Sequence, residues 1–594
     1  MWWMIGLACA RPPQITAPEV SVADPTAVAG VTHPALRSLL AAHWEDAMAR
    51  DPVGATAVGD HRYDDRLGDG SAAGVAAREA AQRGFLDQAR RIDPADLSGR
   101  DQETLAVFVW DRQTSLDLSV CQGWTYGVSP RDNPLAWWGD LPETHRVETP
   151  RDGATLVARY RAMGQATDDA IANLRAGLAA GRVENATSVK LTIEQLETQL
   201  AQPPVTWGMR APAGVDRPGW PEGAQARFAA DLDSALVGVV APAFSRFHAL
   251  LRDEILPVAR PDDRLGVKFL PDGDRCYRAA IARHATRPLA PDAVHQTGLA
   301  ELARIHGEMK DLGQRLFGTR DLPAIFARLR TDKALYFADA DAIEAKATAT
   351  LRRAEAALPL ALGRLPKTPC QVRRVPDHIA PYSYVAWYSQ PNPDGSKPGE
   401  YFVNTSAPTT RPIYEAEALA FHESVPGHHT QIALSQEDGE VPAFRRHLYV
   451  TAYAEGWALY AEGLADELGL YSGDLDRLGR LSFDSWRAAR LVVDTGIHAQ
   501  GWSREQAVRF FLENTPLAEN NVRNEVDRYV TWPGQALGYK LGELELRRLR
   551  AESEAKLGAG FDRRAFHDAV LRGGDVPLPL LEARVRRWSD DATK

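Results

Sequence analysis

The chain has 594 residues, of which 44% are hydrophobic and 25% charged, with a formal net charge of −10. That composition is ordinary for a soluble globular protein with material for a sizeable core, and the acidic balance with no basic tract excludes a nucleic-acid partner. A prior of one domain per about 150 residues would suggest about four domains, but large helical enzymes often grow instead as two lobes around a cleft.

Residues 1–32 read as a signal-like or tether segment. Trp2 to Ala8 is a short apolar run, and Leu7, Ala8 and Cys9 resemble the end of a bacterial lipoprotein signal. The expectation is export to the periplasm, with the membrane reached only through an N-terminal lipid anchor; a cytoplasmic protein with a loose terminus is the alternative. No later stretch is expected to reach the ~20 apolar residues of a membrane span. The other cysteines are Cys121, Cys276 and Cys370. None forms a CxxC pair, so a cysteine zinc site is not expected. Export would leave a Cys276–Cys370 bridge open.

From His33 the pattern turns helical, with Leu36, Leu39, Leu40, His43, Trp44 and Met48 at three- and four-residue steps. Further helices are expected over 73–93, 100–118, 151–182, 184–201, 222–252, 290–316, 321–331 and 340–358, rich in Ala, Leu, Arg and Glu. Proline breaks fall at Pro203-Pro204, Pro212, Pro218, Pro271 and Pro376. Between about 370 and 406 the texture changes. Val372, Val375, Tyr382, Tyr384, Val385, Trp387 and Tyr388 precede a turn signal at Asn392-Pro393-Asp394-Gly395, and Glu400 to Thr405 reads as a second strand. The expectation is a small antiparallel sheet. Helices return after Pro412, so residues 33–594 read as one mainly α body with a small sheet.

The chemistry gathers in residues 415–465. His422-Glu423 on a helix is the core of the H-E-x-x-H zinc motif, in which two histidines bind the metal and the glutamate is general base to its water. Zinc lowers the pKa of that water to about 7. Here the fourth position after His422 is Pro426, and the next histidine is His428. On a regular helix His428 lies about 240° around from His422, on the wrong face, and His429 lies about 10 Å along the axis. The segment can form a zinc site only if the helix breaks between the two ligands. Pro426 removes a helical hydrogen bond and Gly427 tolerates unusual dihedrals, so the break belongs there. A third ligand is needed. Glu455 and Glu462, about two turns apart on one helix face, sit among Tyr453, Trp457, Leu459 and Tyr460, where a carboxylate wants a partner.

The run His422 to Gln431, followed by Glu455 to Glu462, resembles the bacterial family called domain of unknown function 885. Phe269 to Tyr277, His295 to Leu299, Tyr401 to Thr405, Arg528-Tyr529 and Pro533 to Gly542 extend the likeness over about residues 35–590. More distantly, the family is similar to helical zinc peptidases of the angiotensin-converting-enzyme and thimet-oligopeptidase kind. The resemblance implies a mainly helical, two-lobed fold with a deep channel and a Zn2+ cofactor. It makes Glu455 the third ligand and places Glu462 behind a histidine. It also implies a late tyrosine that donates to the tetrahedral oxyanion; Tyr539 is favoured over Tyr529, although a tyrosine in a helical apolar pattern is more often core.

Arg523, Arg528 and Lys540 can hold a substrate carboxylate or pair with Glu519, Glu525 and Asp527. His429 and His498 can face the site or be structural. The strand from Tyr401 to Thr405 is expected to pair with substrate as an edge, with Asn404 either touching substrate or capping a turn. The leading expectation is a zinc-dependent peptidase of short peptides, with Glu423 as base. The alternatives are a zinc hydrolase of a non-peptide amide or ester, and a non-catalytic metal- or peptide-binding protein.

Overall fold

The computed structural model describes residues 24–376, 380, 385–391 and 397–594. The lipoprotein-like terminus with Cys9, the tyrosines 382 and 384, and the turn at 392–395 lie outside them. The first described residues already belong to the packed body, so the tether expected over 1–32 ends sooner. Asp24 caps a short 3-10 turn, Pro25–Val28. Ala27, Val28 and Val31 are buried, and the Asp101 carboxylate accepts from Thr32 and from the His33 N–H.

The helices follow in chain order, most of them starting at a side-chain cap or a proline, which satisfy or remove otherwise orphaned N–H groups. They are α1 (Pro34–Arg50), α2 (Ala72–Ala89), α3 (Gly99–Leu118), α4 (Pro150–Ala179, with a Thr149 capping box) and α5 (Ala186–Leu200). Next is the long α6, Ala224–Val258, which passes through two π-helical stretches. By length and composition α6 could cross a membrane, which corrects the expectation that no later stretch would qualify. Its stripe of Phe228, Leu232, Leu236, Val240, Phe244, Phe247, Leu251 and Ile255 is instead buried in a core of its own, together with α4 and α5.

Then come α7 (Gly273–His284), α8 (Pro291–Phe317), α9 (Leu322–Thr331) and α10 (Ala340–Ala357). A three-stranded sheet follows: β1 (Cys370–Arg374), β2 (Ala386–Ser389) and β3 (Gly399–Val403). The sheet is mixed, not antiparallel. Its order is β1-β3-β2, with β3 parallel to β1 and antiparallel to β2. β2 and β3, close together along the chain, pair antiparallel. The parallel β1 pairing arises because β3 inserts between the two earlier strands, which no turn signal encodes. The chain then returns to helix as α11 (Ala416–Glu423), α12 (His428–Gln436), α13 (Thr451–Glu467), α14 (Asp474–Thr495), α15 (Arg504–Asn514), α16 (Glu519–Thr531), α17 (Leu537–Leu557), α18 (Arg563–Leu571) and α19 (Leu578–Ala592).

Two helix pairs frame the centre: α8 against α14, and α13 against α17. The second pair crosses on glycines. A Cβ on Gly542 would lie 1.8 Å from the Ala452 carbonyl oxygen, and one on Gly456 would lie 2.6 Å from Gly542. The missing side chains let the backbones approach closely.

Cys121 and Cys276 form a disulfide, while Cys370 is free and buried. The Cys276–Cys370 pairing is therefore replaced. Cys276 on α7 packs in the same small core as Cys121, whereas Cys370 lies on β1 in the main core.

Candidate metal centre

Helix α11 ends at Glu423 and α12 begins at His428. The interruption falls at the Pro426-Gly427 pair. The Val425–Pro426 peptide is cis, and Ser424 and Gly427 leave helical space with ψ of −110° and −129°. A Cβ on Gly427 would sit 2.0 Å from the His422 carbonyl oxygen, so only glycine fits there. Trp457 on α13 donates its indole N–H to the Pro426 carbonyl at 2.9 Å, clamping the broken turn against that helix. The break turns His428 back toward His422. Their rings stand 4.9 Å apart, centre to centre, at 88°.

Helix α13 is buried along nearly its whole length and brings up both glutamates. The Glu455 Oε2 atom lies 3.4 Å from His422 Nε2 and 3.4 Å from His428 Nε2. The three ligand atoms lie within 4.8 Å of one another. Zinc–ligand bonds of about 2.0–2.1 Å imply a tetrahedron with edges of roughly 3.4 Å, so both separations fit one ion. Glu455 Oε2 is buried and accepts no hydrogen bond among the described residues, as a metal-binding oxygen would. Two imidazoles and a carboxylate are also a donor set that leaves the fourth zinc position open.

On its far side His422 Nδ1 meets Glu462 Oε1 at 2.9 Å. A carboxylate there fixes the ring, leaving Nε2 free to face an ion if one were held between the imidazoles. Arg487 lies 3.7 Å from the same oxygen. Without a metal the cluster attracts protons. Burial opposes charge on His422, but Glu455 and Glu462 outweigh it and raise its pKa to about 9. Burial likewise opposes charge on Glu455, yet His428 and His422 hold it well below the usual carboxylate range.

Glu423, next to the ligand His422, is partly buried. After burial, its charge is the largest influence raising the phenol pKa of Tyr401 on β3, which places the sheet beside it. Tyr539 on α17 is partly buried, and its ring stacks on Arg490 at 4.3 Å. Burial and then the Glu455 charge push its phenol up to about 12. The Glu423 charge thus reaches the sheet at Tyr401, and Tyr539 feels the Glu455 charge.

Other candidates are engaged elsewhere. The Tyr529 hydroxyl donates to Glu525 at 2.6 Å and accepts from Arg490 and Trp486. It has no capacity left for an oxyanion. Arg528 is held by Glu525 and Gln535. Lys540 is fully buried among Asp484, Glu543 and Glu301, so it is a structural cation and not a substrate contact. Arg523 pairs with Glu505 and Glu519 at the surface. His498 ties the Val267 N–H to the Tyr529 carbonyl.

His429 bridges the Tyr388 hydroxyl and the Thr368 carbonyl, joining α12 to the sheet region. Asn404 donates to the Ala380 carbonyl and accepts from Ser406, a turn-capping arrangement. The edge-strand expectation fails: β3 is paired on both sides.

The sequence reading passed over Tyr449, which donates to Glu455 Oε1 at 2.5 Å. It also passed over Asp575, which accepts from Gln431 on α12 and from the Val450 N–H. Neither lies in a recognisable motif.

Two solved structures share the fold, each provisionally described as a lipoprotein. One, from Colwellia psychrerythraea, has a TM-score of 0.87 and 26% identity, over 94% of this chain and 99% of that one. The other, from Shewanella oneidensis and of unknown function, has a TM-score of 0.71 and 18% identity, over 92% and 99%. No curated protein matches the sequence. The sequence pattern of the DUF885 family, described as bacterial proteins of unknown function, matches residues 52–585, and the chain belongs to that family.

Proposed function

We propose that the protein is a zinc-dependent peptidase acting on short peptides. The observation that carries this reading is the bare Glu455 Oε2, 3.4 Å from the Nε2 atoms of both His422 and His428. A zinc ion held there would supply Lewis acidity and an acidified water. Glu423, which follows His422 in the chain, would serve as the general base and return the proton to the leaving amine. Tyr539 donates its hydroxyl to the developing oxyanion. Because His422, His428 and Glu455 are nearly buried, a folded protein surface cannot reach them, which favours short or extended substrates.

The Cys121–Cys276 disulfide supports an oxidising compartment. With the lipoprotein descriptions of both structural neighbours, it favours a periplasmic, membrane-anchored protein over a cytoplasmic one.

The deciding experiment combines elemental analysis with a peptide-library digest of wild type and Glu423→Gln. The variant should keep one zinc and lose at least 100-fold in turnover, the low end of general-base contributions of about 10²–10⁴. Metal-free wild type, or a fully active variant, would overturn the reading.

A further inference from the structure

We propose that Tyr449 is a positioning residue that restricts Glu455 to a single metal-binding oxygen. This rests on the zinc reading above. The two oxygens of Glu455 have different surroundings. Oε1 accepts from the Tyr449 hydroxyl at 2.5 Å, at the short end of O–H···O⁻ bonds. Oε2 accepts nothing among the described residues and faces both ligand imidazoles. A carboxylate at an ion's edge can bind through one oxygen or both. Bidentate binding here would need Oε1 to turn from the phenol toward the ion. Holding Oε1 keeps the fourth tetrahedral position for water instead of a second carboxylate oxygen.

The phenol is itself held in place. Tyr449 lies in the loop between Arg446 and Thr451, and the next N–H, that of Val450, donates to Asp575 at 2.9 Å. The other oxygen of Asp575 accepts from Gln431 on α12, the helix that begins with His428. The loop that aims at Glu455 is thereby tied to the helix that supplies the second histidine. Tyr449 is nonetheless 48% exposed, although its hydroxyl contacts a residue that is 7% exposed. A large aromatic side chain with an exposed ring and an inward hydroxyl suits a contact with a buried carboxylate better than a role in core packing. Removing the hydroxyl therefore perturbs Glu455 without emptying a core site.

The test uses the full chain with Tyr449→Phe, which keeps the ring. Zinc affinity is measured by competition with a chromophoric chelator, and coordination by the visible spectrum of the cobalt(II)-substituted protein. The expected result is zinc affinity lower by about 10–100-fold, the range for groups that orient ligands. The cobalt bands should weaken toward a five-coordinate pattern, with the metal-free protein still unfolding in a single cooperative transition. A second arm repeats the substitution in a Glu455→Ala background, where the hydroxyl has nothing to orient and should change zinc affinity no further. Wild-type affinity and an unchanged cobalt spectrum in Tyr449→Phe would overturn the proposal, as would an equal loss in the Glu455→Ala background. Failure of wild type itself to bind zinc would instead overturn the parent reading.

Discussion

Glu462 would act on the proposed metal site through His422, which it meets at Nδ1. Its charge is part of what raises the pKa of that histidine to about 9 against burial. In metal-free protein at neutral pH His422 therefore holds a proton, which a bound zinc ion would have to displace. Affinity should climb with pH until about 9. The same shift bears on the metal-free fold. A histidine whose pKa rises from 6.5 to about 9 adds stability below 6.5 that fades as pH passes through 9. Glu462→Gln keeps the size and removes the charge. It should lower zinc affinity by about 10–100-fold and move the plateau of the affinity–pH curve to lower pH. Chelator competition across pH 6–10 reads both effects, and superimposable curves would contradict this account.

At the scale of elements, the proposed metal site depends on one break and one helix crossing. The break between α11 and α12 requires glycine at 427 because the His422 carbonyl occupies the place of a Cβ. Gly427→Ala should displace the backbone of a ligand. The expected outcome is a loss of about 1–3 kcal/mol of stability from overpacking, together with a larger fractional loss of zinc affinity. Gly463 on α13 is the control, since a Cβ there meets nothing within 4 Å. Gly463→Ala should stabilise by about 0.5–1 kcal/mol through helix propensity and leave zinc binding alone. Denaturant melts and chelator titrations of the two variants test the contrast. The crossing of α13 and α17 at Gly456 and Gly542 serves the same site, because it holds α13, which carries Glu455, against α17.

Across the whole molecule, buried carboxyls set how stability varies with pH. Burial pushes Asp494, Asp575 and Glu415 each up to about 7, against hydrogen bonds that favour the charged form. A carboxyl whose folded pKa lies above its unfolded value contributes stability at low pH that disappears as pH rises through the folded value. Glu103 behaves oppositely. Burial opposes its charge, but Arg584 and Arg445 hold it at about 2, so its contribution vanishes only in strong acid. The metal-free protein should accordingly be most stable near pH 5 and lose stability toward pH 8. Asp494 accepts from Tyr277 and from the Gly534 N–H. Asp494→Asn, which mimics the neutral acid, should flatten the fall above pH 6. Melting temperatures from pH 5 to 9 provide the check, and parallel curves for variant and wild type would refute it.

Local chemistry was largely legible in the chain. The helices read from apolar spacing recur within a few residues of their expected ends, because that spacing is the face each helix buries. The need for a broken helix at Pro426-Gly427 also followed from spacing, since a regular helix cannot bring His422 and His428 together. Long-range choices were not legible. Which of two heptad-spaced glutamates faces the imidazole Nε2 atoms came from the family resemblance and not from spacing, because it depends on where α13 lies against α11. The parallel seat of β3, the Cys121–Cys276 pairing and the burial of Lys540 depend likewise on partners far along the chain. Tyr449 marks the limit. Its own sequence neighbourhood carries no motif, and it gains its role only because α13 presents Glu455 Oε1 to its hydroxyl. The sequence determined by itself which residues can bind a metal and where the helix must fail. The tertiary structure decided which atoms meet, because ligand geometry at 3.4 Å is set by the packing of helices and not by the order of residues along one of them.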